Sequence, residues 1–196
     1  MPTNPEILFW RRTDVSGLER LALTTSADAV VAASAVICVE DGGFRLDHRW
    51  RLTPDWRALS IDAERWGTDG HQRVALERAG NGWTVDGKPR PDLDGADEPD
   101  LSITPFCNTF PIRRTPAGAG ASLTLDTCFI DAAAMTVVRS RQRYDRLAPD
   151  RLRYVDLGHA SGFTAELRVD EHGLVLSYEH LFERVAAIQL TGADFP

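Results

Sequence analysis

Apolar and polar residues alternate along most of this chain, and this period of two is the feature that most limits what it can fold into. The clearest case is segment 44–53, where every second residue is apolar or aromatic and the residues between are arginine, aspartate and threonine. The first set is Phe44, Leu46, His48, Trp50 and Leu52. Successive side chains of a strand point to opposite faces, so the pattern predicts a strand with one buried face. On that face we expect His48 to be a hydrogen-bonded core histidine.

The same alternation returns repeatedly, separated by turn residues. Segment 74–85 predicts a hairpin, because Gly80-Asn81-Gly82 interrupts two alternating runs. Further strands are predicted at 122–130, 135–144, 152–157, 163–169 and 174–178. Antiparallel strands at this spacing indicate a sandwich, a barrel or a strongly curved sheet. The chain is therefore expected to be mainly β.

Three segments depart from the pattern. Segment 28–39 fits either a helix or a buried strand. Its alanine content favours the helix, and its valine and isoleucine pairs favour the strand. Segment 179–185 has helical spacing and predicts a short helix. The acidic segment 89–100 is the candidate linker, but it leads into residues that we expect inside the sheet. One domain over residues 1–196 is therefore expected.

Segment 100–114 carries two prolines six positions apart, Pro105 and Pro111. Proline lacks a backbone N–H and restricts the preceding residue, so Thr104 and Phe110 are predicted to be extended. The segment holds two aromatic residues and an amide, and it closes with two arginines. It is predicted to be a rigid extended segment that presents apolar surface beside planar hydrogen-bonding groups.

Composition excludes several classes of protein. The net charge is −7, from 29 acidic against 22 basic residues, which argues against a nucleic-acid partner. The amino-terminal segment does not resemble a signal peptide, and no apolar run reaches the ~20 residues of a membrane span. The three cysteines are far apart and odd in number, which predicts buried free thiols. We therefore expect a cytoplasmic protein without an integral membrane segment.

Motifs that carry chemistry are missing from the sequence. The five histidines show no metal-ligand spacing, and the acidic loop at 92–97 lacks the glycine position and the bidentate glutamate of a calcium loop. No nucleophile elbow, phosphate loop or dinucleotide fingerprint occurs. We therefore expect no metal, no cofactor and no catalytic residues.

One series of motifs resembles a known family, the "putative glycolipid-binding" family of bacterial proteins. The resemblance runs from about residue 18 to residue 185. It is carried by the run Thr104-Pro105-Phe106, Asn108-Thr109 and Pro111-Ile112-Arg113-Arg114, and by Gln142-Arg143-Tyr144, Asp170-Glu171-His172-Gly173 and Leu181-Phe182. It implies one curved antiparallel sheet, a half-barrel similar to periplasmic lipoprotein carriers. It also implies binding of a lipid or glycolipid in the hollow of that sheet, without a reaction.

Planar arginine and amide groups suit phosphates and sugar hydroxyls, and aromatic rings suit a cavity wall. The candidate ligand-binding residues are Trp50, Arg51, Trp83, Phe106, Asn108, Arg113, Arg114, Gln142 and Tyr144. A structural alternative is that Asn108 caps turn amides and Arg113 pairs with Asp100. Two other functions stay open: an enzyme with an Asp/Arg/His set in the same cavity, and a protein-interaction module. The oligomeric state is not predicted.

Overall fold

The computed structural model describes residues 5–190 and consists of one large, mixed sheet that is not closed into a barrel. Strands make up 60% of the chain, which confirms the mainly β prediction. The strands are β1 (Glu6–Arg12), β2 (Gly17–Thr25), β3 (Val30–Cys38), β4 (Phe44–Leu52), β5 (Ala58–Gly67), β6 (Gly70–Ala79), β7 (Gly82–Val85), β8 (Lys88–Pro89), β9 (Glu98–Leu101), β10 (Ser122–Asp131), β11 (Thr136–Ala148), β12 (Arg151–Asp156), β13 (Thr164–Val169), β14 (Val175–Tyr178) and β15 (Phe182–Gln189). One short helix is present, α1 (Thr109–Arg114).

The chain runs from the middle of the sheet to one edge through β1 to β8, and then from the opposite edge back to the middle through β9 to β15. The order across the sheet is β8-β7-β6-β5-β4-β3-β2-β1-β15-β14-β13-β12-β11-β10-β9. The first and last strands, β1 and β15, therefore pair in the middle. Neighbours are antiparallel except β9 and β10, which run parallel. Strands β1 to β8 form one antiparallel meander and β10 to β15 the other, and β9 is added in parallel at the edge beside β10.

The two faces of the sheet differ as the alternation predicts. One face, called here the inner face, carries the large buried side chains, among them Leu8, Trp10, Leu21, Leu46 and Trp50. The opposite, outer face carries mainly charged and small residues. Among the described residues, no helix is long and apolar enough to cross a membrane. The three cysteines are buried and free, which confirms that prediction.

The connection between β9 and β10 is helical, so the prediction of an extended segment at 104–114 is wrong. Residues 106–108 form a 3₁₀ turn that continues into α1. Pro105 precedes the 3₁₀ turn, and Pro111 is the third residue of α1. The first turn of a helix has no acceptor for its N–H groups, so a proline costs little there.

This helical connection covers the inner face of the sheet. Phe106 and Phe110 are fully buried, and their ring centroids lie 6.0 Å and 5.3 Å from that of Trp50. Ile103 and Ile112 are buried with them. The chain therefore fills much of its own hollow with apolar side chains.

Two ambiguous segments are decided by strand pairing. Segment 28–39 contains strand β3, whose neighbours are β2 and β4. The helix predicted at 179–185 is wrong, because β15 begins at Phe182 after a tight turn in which His180 has a φ of 68°. Pairing with β1 holds this segment extended and overrides its helical spacing. The predicted hairpin at 74–85 is confirmed as β6 and β7.

Candidate functional site

Several candidate residues lie in the packed interior. Trp50, Phe106 and Tyr144 are at most 1% exposed, and Trp83 is 2% exposed. The indole N–H of Trp83 donates to the carbonyl oxygen of Ala96 at 3.0 Å, and the guanidinium of Arg78 lies 4.3 Å from its ring centroid. Trp50 packs edge-on against Phe106 and Phe110. These rings are packed in the core, where their contacts are with other protein groups.

Asn108, Gln142 and Tyr144 are brought together in a buried polar network. The Tyr144 hydroxyl lies 2.8 Å from Oδ1 of Asn108 and 3.2 Å from Oε1 of Gln142. The Gln142 amide donates to Asp100, and the Cys107 thiol lies 3.1 Å from the same carboxyl group. Loss of water raises the pKa of Asp100 against the effect of these donors, and it raises the pKa of Cys107. The network satisfies polar groups that β9, β11 and the helical connection bury.

The two arginines of α1 have different environments. Arg114 pairs with the buried carboxyl group of Glu98. Arg113 is exposed, donates to the carbonyl oxygen of His172 and lies 4.6 Å above the ring of Trp56. Arg113 thus pairs with His172 and not with Asp100. Asn108 makes no side-chain cap of α1, and its amide contacts the carbonyl oxygen of Pro105 at 3.4 Å.

The outer face carries a trough that none of the candidate residues lines. Arg51 is exposed on β4, where it is paired in register with Val31. The floor of the trough is Ala33 and Ala35, two small outward residues of β3. Arg20 of β2 is paired in register with Ala35, and Arg49 of β4 with Ala33. The long arginine side chains therefore border short alanines. The depression has a volume of about 440 Å³.

The charges around this trough are unevenly paired. Three carboxylates line it, and each is near a basic group: Asp47 accepts from Arg45 at 2.8 Å, Asp62 from Arg73 at 3.0 Å, and Glu64 lies 3.1 Å from His71. Among residues 5–190, by contrast, Arg20 and Arg49 have no hydrogen-bond or ion-pair partner. Two unpaired guanidinium groups on either side of an alanine floor can donate hydrogen bonds to an anion.

A second, apolar groove adjoins the trough. It has a volume of about 1050 Å³. Its apolar lining comes from Val15, Leu18, Ala35, Ile37 and Val39, and the charged side chains of Arg11, Arg12, Asp14 and Arg20 also line it. Leu18, Ile37 and Val39 are 46%, 58% and 61% exposed, and Leu18 and Ile37 are a cross-strand pair. Arg20 and Ala35 line both cavities. We call the two together the outer groove: an apolar part and a polar part that meet at Arg20.

The sequence contained a signal for the outer groove that was not used. The outward residues of β3 are Val31, Ala33, Ala35 and Ile37, all apolar or small on a face that is otherwise charged. Apolar side chains at these outward positions form an exposed apolar surface. The signal depends on knowing that segment 30–38 is a strand, which the sequence left open.

No metal site accompanies these features in the part of the chain that the structure describes. There, no three His, Cys, Asp or Glu side chains are grouped as metal ligands would be.

Comparison with known proteins decides the family. The model of the family described as "Putative glycolipid-binding" matches residues 7–184. The chain belongs to this family. It is also similar to the crystal structure of a DUF1089 family protein from Pseudomonas aeruginosa, with 33% sequence identity, a TM-score of 0.75, and coverage of 85% of this chain and 92% of that chain. Among curated proteins, none matches.

Proposed function

We propose that this protein binds, without a reaction, a glycolipid with an anionic head group, and that it does so in the outer groove. The family description names glycolipid binding. The observation that carries the proposal is the meeting of an apolar and a polar cavity at Arg20 and Ala35. A glycolipid likewise has an apolar chain joined directly to a polar head group.

The apolar part of the groove is the place for an acyl chain. Its volume of about 1050 Å³ is at the upper end of ordinary ligand sites. Each buried CH₂ contributes about 0.8 kcal/mol, so ten would contribute about 8 kcal/mol before the cost of ordering the ligand. On the inner face, the buried side chains of Phe106, Phe110 and Ile112 occupy much of the hollow.

The polar part of the groove supplies both kinds of head-group contact. Arg20 and Arg49 present guanidinium groups that suit a phosphate, sulfate or carboxylate. The carboxylates of Asp47, Asp62 and Glu64 can accept hydrogen bonds from sugar hydroxyls. This combination favours an acidic glycolipid over a neutral one.

The test is a binding measurement with two lipids that differ in one charge. Sulfated galactosylceramide and its unsulfated parent are delivered from cyclodextrin, and complexes are counted by native mass spectrometry. We expect the sulfated lipid to bind at least tenfold more tightly. Arg20→Gln should remove most of this preference, whereas Ile37→Asn should weaken both lipids.

Matched controls lie elsewhere on the surface. Ile188 is 48% exposed outside the groove, and Arg168 is exposed on β13. Ile188→Asn and Arg168→Gln should bind as the parent protein does. The proposal is wrong if neither lipid forms a complex, or if Arg20→Gln and Ile37→Asn bind like these controls. It is also wrong if sedimentation shows that a second copy of the chain covers the groove.

A further inference from the structure

A small cavity on the inner face lies apart from the outer groove. It has a volume of about 140 Å³ and lies between residues 100–108 and the strands β12, β14 and β15. At the volume of liquid water, this is room for about four molecules. It is too small for an acyl chain, and its lining is distinctive.

Aromatic rings form much of the cavity wall. The Tyr178 ring centroid lies 5.7 Å from that of Tyr154, 6.4 Å from that of Phe163 and 6.2 Å from that of Phe182. The rings are tilted by 45° to 56° relative to Tyr178. Phe129 contributes a further ring to the lining. Ring faces carry negative electrostatic potential, so several faces around one space attract a cation.

Two carboxyl groups, those of Asp100 and Asp156, line the same cavity. Asp156 is buried, and its Oδ1 accepts hydrogen bonds from the backbone amides of Gly158 at 2.8 Å and Ala160 at 3.1 Å. Tyr154 donates to its Oδ2 at 3.2 Å. These bonds fix the position of the Asp156 carboxyl group at the cavity wall.

Asp156 is buried and Asp100 half-buried, and the two differ from the buried acids Glu98 and Glu19 in having no basic partner. Glu98 pairs with Arg114, and Glu19 lies 3.0 Å from His48. Within residues 5–190, neither Asp100 nor Asp156 has an ion-pair partner, and no arginine, lysine or histidine lines the cavity. Negative charge away from water without a nearby cation is unfavourable, and a bound cation would relieve it.

The Tyr178 hydroxyl is a further polar group of the cavity lining. Tyr178 is 6% exposed and lines the cavity, yet among the described residues its hydroxyl has no hydrogen-bond partner. The other two tyrosines, Tyr144 and Tyr154, each have one. The hydroxyl oxygen keeps some accessible surface, so water or a ligand in the cavity can pair with it.

We infer that this cavity binds a small organic ammonium ion. Aromatic faces, carboxylates and a free hydroxyl are the groups that recognise such a cation, and the volume suits a group of its size. The cation can be a free molecule or the ammonium head of a lipid. The inference does not depend on the outer groove, because the two cavities share no lining residue.

The test compares choline with 3,3-dimethylbutan-1-ol, which has the same shape but no charge. Binding is followed by NMR through the aromatic resonances of Tyr154, Phe163 and Tyr178. We expect choline to bind at least tenfold more tightly than the neutral alcohol. Dihexanoylphosphatidylcholine, used below its micelle concentration, separates the two sources: it binds at these resonances if a lipid head can enter, and only choline binds if the ligand must be free.

Variants connect the binding to the cavity. Phe163 is partly exposed, so Phe163→Leu should fold and should weaken choline binding at least fivefold. Phe9→Leu, a partly exposed ring on β1, should not change it. Asp156→Asn should also weaken binding, but if it fails to fold, Phe163→Leu alone decides. Equal affinity for choline and the alcohol would overturn the inference, and so would a lack of choline binding. It would also be overturned if glucose shifted these resonances and choline did not.

Discussion

The indole N–H of Trp50 donates a hydrogen bond to Nδ1 of His48 at 2.9 Å, two residues away on the inner face of β4. Because Nδ1 accepts, the ring proton lies on Nε2, which is 3.0 Å from Oε1 of Glu19. Ser34 and Thr104 donate to the same oxygen at 2.7 Å and 2.9 Å. His48 is a hydrogen-bonded core histidine, as its place on an apolar strand face predicts.

Replacement of Trp50 should therefore lower the free energy of unfolding by more than the loss of side-chain volume alone would. Trp50→Phe removes the donor and leaves the Nδ1 acceptor buried, so we expect the free energy of unfolding to fall by about 2 kcal/mol or more. Urea denaturation measures this. Trp66 is exposed on the outer face, and Trp66→Phe should cost about 0.5 kcal/mol or less. Equal losses in the two variants would contradict the importance of the hydrogen bond.

Neighbouring arginines of α1 should differ sharply in their effect on stability. Arg114→Met leaves the buried Glu98 with only Arg78, at 3.8 Å, and we expect a loss of about 3 kcal/mol. Arg113→Met, at an exposed position, should cost about 1 kcal/mol or less. Both are measured by urea denaturation.

A double-mutant cycle separates the ion pair from packing. Adding Glu98→Gln to Arg114→Met removes the uncompensated charge, so the double variant should be more stable than Arg114→Met alone. If the two losses simply add, Arg114 acts through packing and not through Glu98.

The raised pKa of Asp100 gives a pH dependence with a definite sign. Burial raises this pKa above its ordinary value of 3.8, so the native state holds the proton more tightly than the unfolded state. The stabilisation from Asp100 is complete below its ordinary pKa and is lost as pH rises through the raised value. Wild type should therefore lose stability relative to Asp100→Asn as pH increases in this range.

The measurement is the difference in free energy of unfolding between the two proteins from about pH 4 to 8. Taking the difference cancels the opposite effects of acids with lowered pKa, such as Asp14 and Asp69. Asp126, a partly exposed acid in surface ion pairs, provides the control variant Asp126→Asn. A difference curve that is flat, or that rises with pH in favour of wild type, would show that the pKa of Asp100 is not raised in the native state.

Local pattern identified many of the strands, but it predicted none at β1, β2 and β5 and left β3 open against a helix. Alternation identified segments such as 44–53 because period two is a property of the strand itself. It failed at 104–114, because proline excludes helix interiors but is acceptable in a first turn. It also failed at 179–185, where pairing with β1 outweighs helical spacing.

The candidate residues show the same division. Asn108, Gln142 and Tyr144 were predicted as ligand-binding residues, and the structure brings these three together in one buried hydrogen-bond network. The unpaired Arg20 and the alanines of β3 were missed, because their meaning depends on the register between β2, β3 and β4.

The sequence by itself determined the mainly β class, the buried thiols and the family, since these follow from periodicity, residue type and motif order. Tertiary structure alone decided which cavities exist. A residue's period tells which face it occupies, but not whether a distant segment covers that face. Here residues 102–115 fill the inner hollow, while the short side chains of Ala33 and Ala35 leave open space between the arginines of neighbouring strands.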